Sequence, residues 1–159
     1  MRKIQRKIDS KIGPLYLVVT SKALHGVFWR EQNSISYEDE NSHAESKMLD
    51  KVVMQINEYL SGTRKKFDLI LELEGTEFQK RVWTELQRIP YGKTCSYKDL
   101  AKKLNDQNAS RAVGTANGKN PISLIVPCHR VIASDGTLGG YAGGLEIKHK
   151  LLSLEKINN

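Results

Sequence analysis

A small antiparallel sheet carrying one helix, followed by a mainly α unit built round a helix-turn-helix, is the architecture that the sequence predicts. Three observations lead there. Three short runs rich in apolar and β-branched residues fall before residue 30, close enough together for a meander. One apolar stripe over residues 48–60 repeats at helical spacing. After residue 75, helical stretches separated by short breaks take over.

Taken in order, Ile4 and Ile8 among polar neighbours mark a strand over residues 3–9. Gly13-Pro14 is expected to turn the chain. Residues 15–20 form a second strand and residues 25–29 a third. His25 reads as a structural or surface residue. Residues 30–42 are polar and acid-rich, and read as a loop. Ser42 with Glu45 has the form of a capping box. Met48, Leu49, Val52, Val53, Ile56, Tyr59 and Leu60 then give a helix its core-facing stripe, and Gly62 ends it. Residues 67–73 are extended. Glu74-Gly75 breaks the pattern, so a first domain is expected at 1–74 and a second at 75–159.

In the second domain Thr76 and Gln79 form another capping-box pattern, with Phe78, Val82, Trp83 and Leu86 behind it. Pro90-Tyr91-Gly92 ends that helix. Ser96 can cap the next, which carries Tyr97, Leu100, Ala101 and Leu104. A polar break over 105–108 precedes a third helix capped by Ser110 and closed by Gly118. Helix, four-residue break, helix is the layout of a helix-turn-helix. Its second helix, Arg111-Ala112-Val113-Gly114-Thr115-Ala116-Asn117, has almost no bulk. Small residues either pack tightly on a neighbouring helix or approach another surface closely. A minor groove about 6 Å wide demands such closeness. Residues 134–141 read as a turn or wing, and Gly143-Gly144 permits an unusual backbone path. Residues 146–156 form a closing helix.

The chain has 159 residues and a formal charge of +7. Residues 76–159 hold 13 Lys/Arg against 7 Asp/Glu, while residues 1–75 hold 12 against 11. The excess in the second half suggests a polyanionic partner there, or surplus lysines that keep the surface solvated. No stretch approaches the roughly 20 apolar residues of a membrane span. The charged first residues lack the apolar run of a signal peptide. Cys95 and Cys128 make neither a disulfide framework nor a CxxC site, which fits a reducing cytoplasm.

One stretch stands apart. Leu124-Ile125-Val126 runs extended into Pro127, and Cys128-His129-Arg130 follow before Val131-Ile132. Ionisable groups inside an apolar run carry a desolvation penalty that chemistry or partners must offset. Basic neighbours favour the thiolate of Cys128. Alone, Cys128 reads more simply as a small buried residue with two basic neighbours. Glu155 lies late in the closing helix, where the macrodipole disfavours an acid. It is either a frayed surface residue or a carboxylate aimed at His129, which would complete a nucleophile–base–orienter series.

These motifs resemble the O6-alkylguanine-DNA alkyltransferases in their compact bacterial form. The resemblance rests on Phe78-Gln79-Lys80-Arg81-Val82-Trp83, Ile89-Pro90-Tyr91-Gly92, Ser96-Tyr97 and Arg111-Ala112-Val113-Gly114. It continues through Asn120-Pro121, Ile125-Val126-Pro127-Cys128-His129-Arg130-Val131-Ile132 and Gly140-Tyr141-Ala142-Gly143-Gly144-Leu145. It implies a ribonuclease H-like first domain and a winged helix-turn-helix second domain. It also implies single, irreversible transfer of the alkyl group from O6-alkylguanine in double-stranded DNA to Cys128. O4-alkylthymine stays open as a second substrate. The base would be flipped through the minor groove, with Arg111 taking its place in the stack.

The resemblance makes Cys128 the nucleophile, His129 its base through a water, and Glu155 the orienter. Tyr97 would hydrogen-bond the base and help neutralise the leaving guanine. The Val131 carbonyl and the Ala142 N–H would read the base edge. Asn120 would tie the recognition element to the active-site turn. Ser96, Ala112, Gly114 and Tyr141 complete the expected DNA and substrate contacts. Ser123 stands where some relatives have proline. Some relatives hold zinc in the first domain. With no cysteine before Cys95, neither metal nor cofactor is expected here, and the protein is expected to act as a monomer. Three other classes fit the sequence less well. A lesion-binding module of this family lacks the cysteine. A sequence-specific regulator would want bulkier groove-reading side chains. A hydrolase with turnover would want an oxyanion hole.

Overall fold

The computed structural model describes residues 1–159, which divide into two compact units, Met1–Glu74 and Gly75–Asn159. In the first, β1 (Ile4–Ser10), β2 (Gly13–Val19) and β3 (Leu24–Phe28) pair antiparallel. The first turn falls at residues 11–12, not at Gly13-Pro14. Gly13 takes a φ of 103°, Ser10 Oγ donates to its carbonyl at 2.6 Å, and Pro14 already pairs with Asp9. A fourth strand, β4 (Ser36–Tyr37), lies in the stretch expected to be all loop. It runs parallel to β1 and gives the sheet order β3-β2-β1-β4. Gln5, fully buried, ties this stretch down. It receives the Gln32 N–H and donates to the carbonyls of Gln32 and Ile35.

Helix α1 (His43–Leu60) lies against β1 and β2. It buries Leu49, Val52, Ile56 and Tyr59 completely, each worth roughly 1.5–3 kcal/mol relative to exposure. Ser42 does not cap it by a capping box: its side chain makes no cap hydrogen bond. Its hydroxyl is engaged by Asp39 and Arg2 instead, accepting from the Asp39 N–H and from Arg2 Nη2 at 2.9 Å. The extended residues 67–73 run beside β3, where Leu24 exchanges backbone hydrogen bonds with Ile70 and Glu72.

The second unit begins with α2 (Glu77–Leu86), whose Thr76–Gln79 capping box is complete. Trp83 is buried, and its indole N–H donates to the Ala116 carbonyl at 2.9 Å. Strand β5 (Cys95–Ser96) leads straight into α3 (Tyr97–Lys103), capped by the Ser96 hydroxyl accepting from the Asp99 N–H. After a break in which Asn105 is left-handed (φ 61°), α4 (Ser110–Gly118) packs on α2 and α3. Its N-cap position is Ala109, with no side-chain cap, so Ser110 lies inside the helix and does not cap it. Gly118 is still helical rather than a left-handed terminator.

The apolar run before Cys128 is not a strand. It is an irregular buried turn in which Leu124 takes a φ of 73° and the Val126 N–H returns to the Ile122 carbonyl. The Asn120 side chain imposes this path. It receives the Ile122 N–H at 3.0 Å and donates to the Val126 carbonyl at 2.8 Å, satisfying groups that a strand would have paired. A single 3-10 turn, Cys128–Arg130, follows Pro127. Strand β6 (Val131–Ile132) then pairs parallel with β5, Cys95 opposite Val131. That pairing sets Tyr97, the first residue of α3, beside the Cys128 turn. The unit closes with α5 (Leu145–Asn158). No helix of the chain is long and apolar enough to cross a membrane.

Candidate active site

Cys128 sits 3% exposed in the wall of a cavity of about 300 Å³, which Tyr97, Gly114, Asn117, Tyr141 and Ala142 also line. His129 and Glu155 are buried behind it. The Glu155 carboxylate accepts from His129 Nε2 at 2.6 Å, from Arg130 Nε at 2.8 Å and Nη2 at 3.0 Å, and from the Gly92 N–H at 3.2 Å. Burial alone would raise its pKa, but the hydrogen bonds from His129 and Arg130 outweigh that and hold it at about 2. Glu155 is therefore an acceptor, and His129 must carry its proton on Nε2. The lone pair of the neutral ring is then on Nδ1. Burial outweighs the attraction of Glu155 and holds the His129 pKa below its ordinary value.

The resting thiol is not a thiolate. Burial pushes Cys128 up to about 11, against the opposing pull of the Asn120 amide and the Lys148 ammonium. The expectation that basic neighbours would favour thiolate fails for a geometric reason. Arg130 points away, to Glu155 and to the Ile89 carbonyl at 2.7 Å, and its guanidinium lies 5.7 Å from the Tyr91 ring centroid. His129 is neutral.

Tyr97 is held between α4 and the loop at Gly139. A Cβ built on Gly139, whose φ is 71°, would come within 3.0 Å of the Tyr97 ring, and one on Gly114 within 3.8 Å. Burial raises the Tyr97 pKa, opposed by hydrogen bonding from the Gly140 backbone and the Asn117 amide. Two residues here escaped sequence reading. Asn117 is buried on the cavity wall and donates to the Cys128 carbonyl at 3.3 Å. Lys148 is fully buried and donates to the carbonyls of Val131 at 2.6 Å, Gly140 at 3.0 Å and Leu138. Burial lowers its pKa to about 8. The one signal for Lys148 is a cation at helical spacing from Leu151 and Glu155.

Of the residues singled out in the sequence, Cys128, Tyr97, Gly114, Tyr141 and Ala142 line the cavity. Asn120 shapes the turn before Cys128, Ser96 caps α3, and the Val131 carbonyl is already engaged by Lys148. Arg111 and Ala112 are exposed on α4 and do not line the cavity. No three His, Cys, Asp or Glu side chains gather into a potential metal site.

One unit thus brings together a helix-turn-helix layout, a cavity with a buried thiol in its wall, and a His–Glu pair behind that thiol. The known proteins narrow this further. Residues 77–157 match the "6-O-methylguanine DNA methyltransferase, DNA binding domain", and residues 4–73 the "ribonuclease-like domain" of the same family. A Mycobacterium tuberculosis methylated-DNA–protein-cysteine methyltransferase is 46% identical over 153 residues, covering 95% of this chain and 91% of that protein. The one from Methanosarcina barkeri is 46% identical over 152 residues, covering 95% and 96%. The crystal structure of M. tuberculosis OGT in complex with DNA superposes with a TM-score of 0.87 at 44% identity, covering 97% of this chain and 93% of that one. The chain belongs to the 6-O-methylguanine DNA methyltransferase family.

Proposed function

We propose that this protein repairs DNA directly, moving the alkyl group of O6-alkylguanine onto Cys128 once per molecule. The carrying observation is the thiol in a base-sized cavity, backed by a buried His129–Glu155 hydrogen bond of 2.6 Å. In this reading the thiol proton passes towards His129, through a water, as Cys128 sulfur attacks the alkyl carbon. The S–C bond forms, the C–O6 bond breaks, and guanine leaves with its electron pair. Glu155 stabilises the imidazolium so formed, and Tyr97 donates to the leaving base. A thioether has no hydrolytic exit, so the reaction stops after one turn. Residues 75–159 carry the DNA-binding and transfer functions. The duplex is engaged through its minor groove by the small-residue face of α4, and the protein acts as a monomer. A reduced thiol fits a cytoplasmic setting.

Intact mass spectrometry after mixing with an oligonucleotide containing O6-methylguanine tests this. One methyl per protein molecule on Cys128, and none in Cys128→Ser, is the expected result. Repeated turnover, or repaired DNA alongside unmodified Cys128, would sink it. Arg111, exposed at the start of α4, is assigned the place vacated in the base stack. Arg111→Ala should slow repair of duplex DNA about 10-fold while reaction with free O6-benzylguanine changes far less. Equal losses on both would remove Arg111 from that role.

A further inference from the structure

The first unit leaves one edge of its sheet open. Residues 67–73 run extended beside β3. The Leu24 N–H donates to the Ile70 carbonyl at 2.8 Å, and the Glu72 N–H to the Leu24 carbonyl at 2.9 Å. Backbone groups alternate sides along an extended chain, so Asp68, Ile70 and Glu72 turn theirs inward while Leu69, Leu71 and Leu73 turn theirs outward. At Asp68 the buried Gln55 amide takes the place of a neighbouring strand. It donates to the Asp68 carbonyl at 3.0 Å and accepts the Asp68 N–H at 2.8 Å. The outward groups of Leu69, Leu71 and Leu73 make no hydrogen bond within the protein.

This course is fixed at both ends. The Phe67 ring packs on Tyr59 with centroids 5.3 Å apart, and just past Leu73 the Glu74 carboxylate meets Lys3 Nζ at 2.6 Å and His25 Nδ1 at 3.1 Å. Sheets commonly blunt an edge with lysine, proline or a very short strand. The opposite edge does so, since β4 has two residues. Residues 67–73 contain neither lysine nor proline. Ile70 is 68% exposed, and the exposed Asp68 and Glu72 flank it on the same face without an ion pair.

We propose that this edge docks an extended basic segment of a partner protein, which adds to the sheet as a further strand. The outward groups of Leu69 and Leu71 supply the main-chain hydrogen bonds. Antiparallel pairing centred on Ile70 sets lysine or arginine opposite Asp68 and Glu72, and apolar residues opposite Leu69, Ile70 and Leu71. The edge is held before the partner arrives, which keeps the ordering cost low. A second copy of this chain fits badly. Pairing about Ile70 would set Asp68 of each copy against Glu72 of the other, and like charges directly opposite are destabilising.

The probe is a short capped peptide in which three β-branched residues lie between two lysines, mixed with the full chain and followed by amide hydrogen exchange. Exchange at Leu69 and Leu71 should slow about 10-fold or more. Leu71→Pro removes an outward donor and spares both bonds to Leu24, and it should weaken binding about 10-fold. Asp68→Lys combined with Glu72→Lys should weaken the lysine peptide by about the same factor and favour a peptide with glutamates in place of the lysines. This second variant changes exposed side chains only, so it reports even where the proline disturbs folding. Unchanged exchange at Leu69 and Leu71, or equal binding of the lysine peptide by the wild type and the charge-reversed variant, would overturn the proposal. A wild type that dimerises, and is monomeric as Leu71→Pro, would overturn it in favour of a second copy.

Discussion

Glu155→Gln should slow alkyl transfer by about 100-fold or more, the lower end of what general acid–base assistance supplies. Glutamine keeps the shape but loses the charge that, in the proposed mechanism, stabilises the imidazolium formed on His129. It also turns an NH2 group towards donors, where the carboxylate accepted four hydrogen bonds. Arg130, only 7% exposed, loses its counter-charge, and breaking such a buried pair costs about 3–5 kcal/mol. The unfolding midpoint should drop by about 10 °C or more. The pH dependence has a definite sign. Glu155 titrates at about 2 in the folded protein against an ordinary 4.5. Its contribution is thus complete above pH 4.5 and is lost as the pH falls through 2, amounting to about 3 kcal/mol at most. Urea unfolding between pH 7 and pH 2 should show a shallower loss for the variant than for the wild type. A single-turnover rate that does not change would confine Glu155 to a structural role.

Lys148→Met is expected to separate stability from activity. Methionine has a similar reach and removes the cost of burying an ammonium, but it orphans three carbonyls, those of Val131, Leu138 and Gly140. The two effects oppose, so net stability at pH 7 should move by no more than about 2 kcal/mol. Transfer should still fall about 30-fold. The loop at Gly139 and Gly140 loses the tie that keeps it against Tyr97, and the negative charge that would develop on Cys128 during transfer loses its nearby cation. Lys148 titrates at about 8 when folded, against 10.5 ordinarily. Below pH 8 the folded protein bears the full cost of the buried charge. Between pH 8 and 10.5 the folded state sheds the proton before the unfolded state does, and stability should rise by up to about 3 kcal/mol. That rise should be missing from the variant. Parallel stability curves for the two proteins would show that Lys148 is not carrying its charge where the geometry places it.

What could be read from the sequence was what depends on near neighbours. Thr76 with Gln79, and Ser96 with Asp99, act as local caps because no competing partner reaches those hydroxyls. Ser42 has the same pattern, but Asp39 and Arg2 claim its oxygen. The α1 stripe was legible because burial of one helix face imposes its own period. Strand β4 was not, since two polar residues pair only because the edge of β1 stands open to them. The turn before Cys128 looked like a strand because apolar composition reports burial, not backbone path. The path belongs to the Asn120 side chain. The His129–Glu155 pairing was available as a pattern of roles. Asn117 and Lys148 were not, because what makes them distinctive is the carbonyls they meet, and those lie on turns that no periodicity predicts.

Helix α5 carries a buried cation as the fourth residue from its start and a buried anion as the fourth from its end, each opposed by the helix dipole. Lys148 and Glu155 are separated by seven positions, close to two full turns, so both side chains leave the same face. The spacing between them is therefore a constraint of its own, distinct from the identity of the two residues. Inserting or deleting a single residue between them would swing one charge about 100° round the axis and out of reach of its partners. Substitutions on the solvent side of α5, at Lys150 or His149, leave that spacing untouched. Over this segment the protein should tolerate changes of letter far better than changes of length.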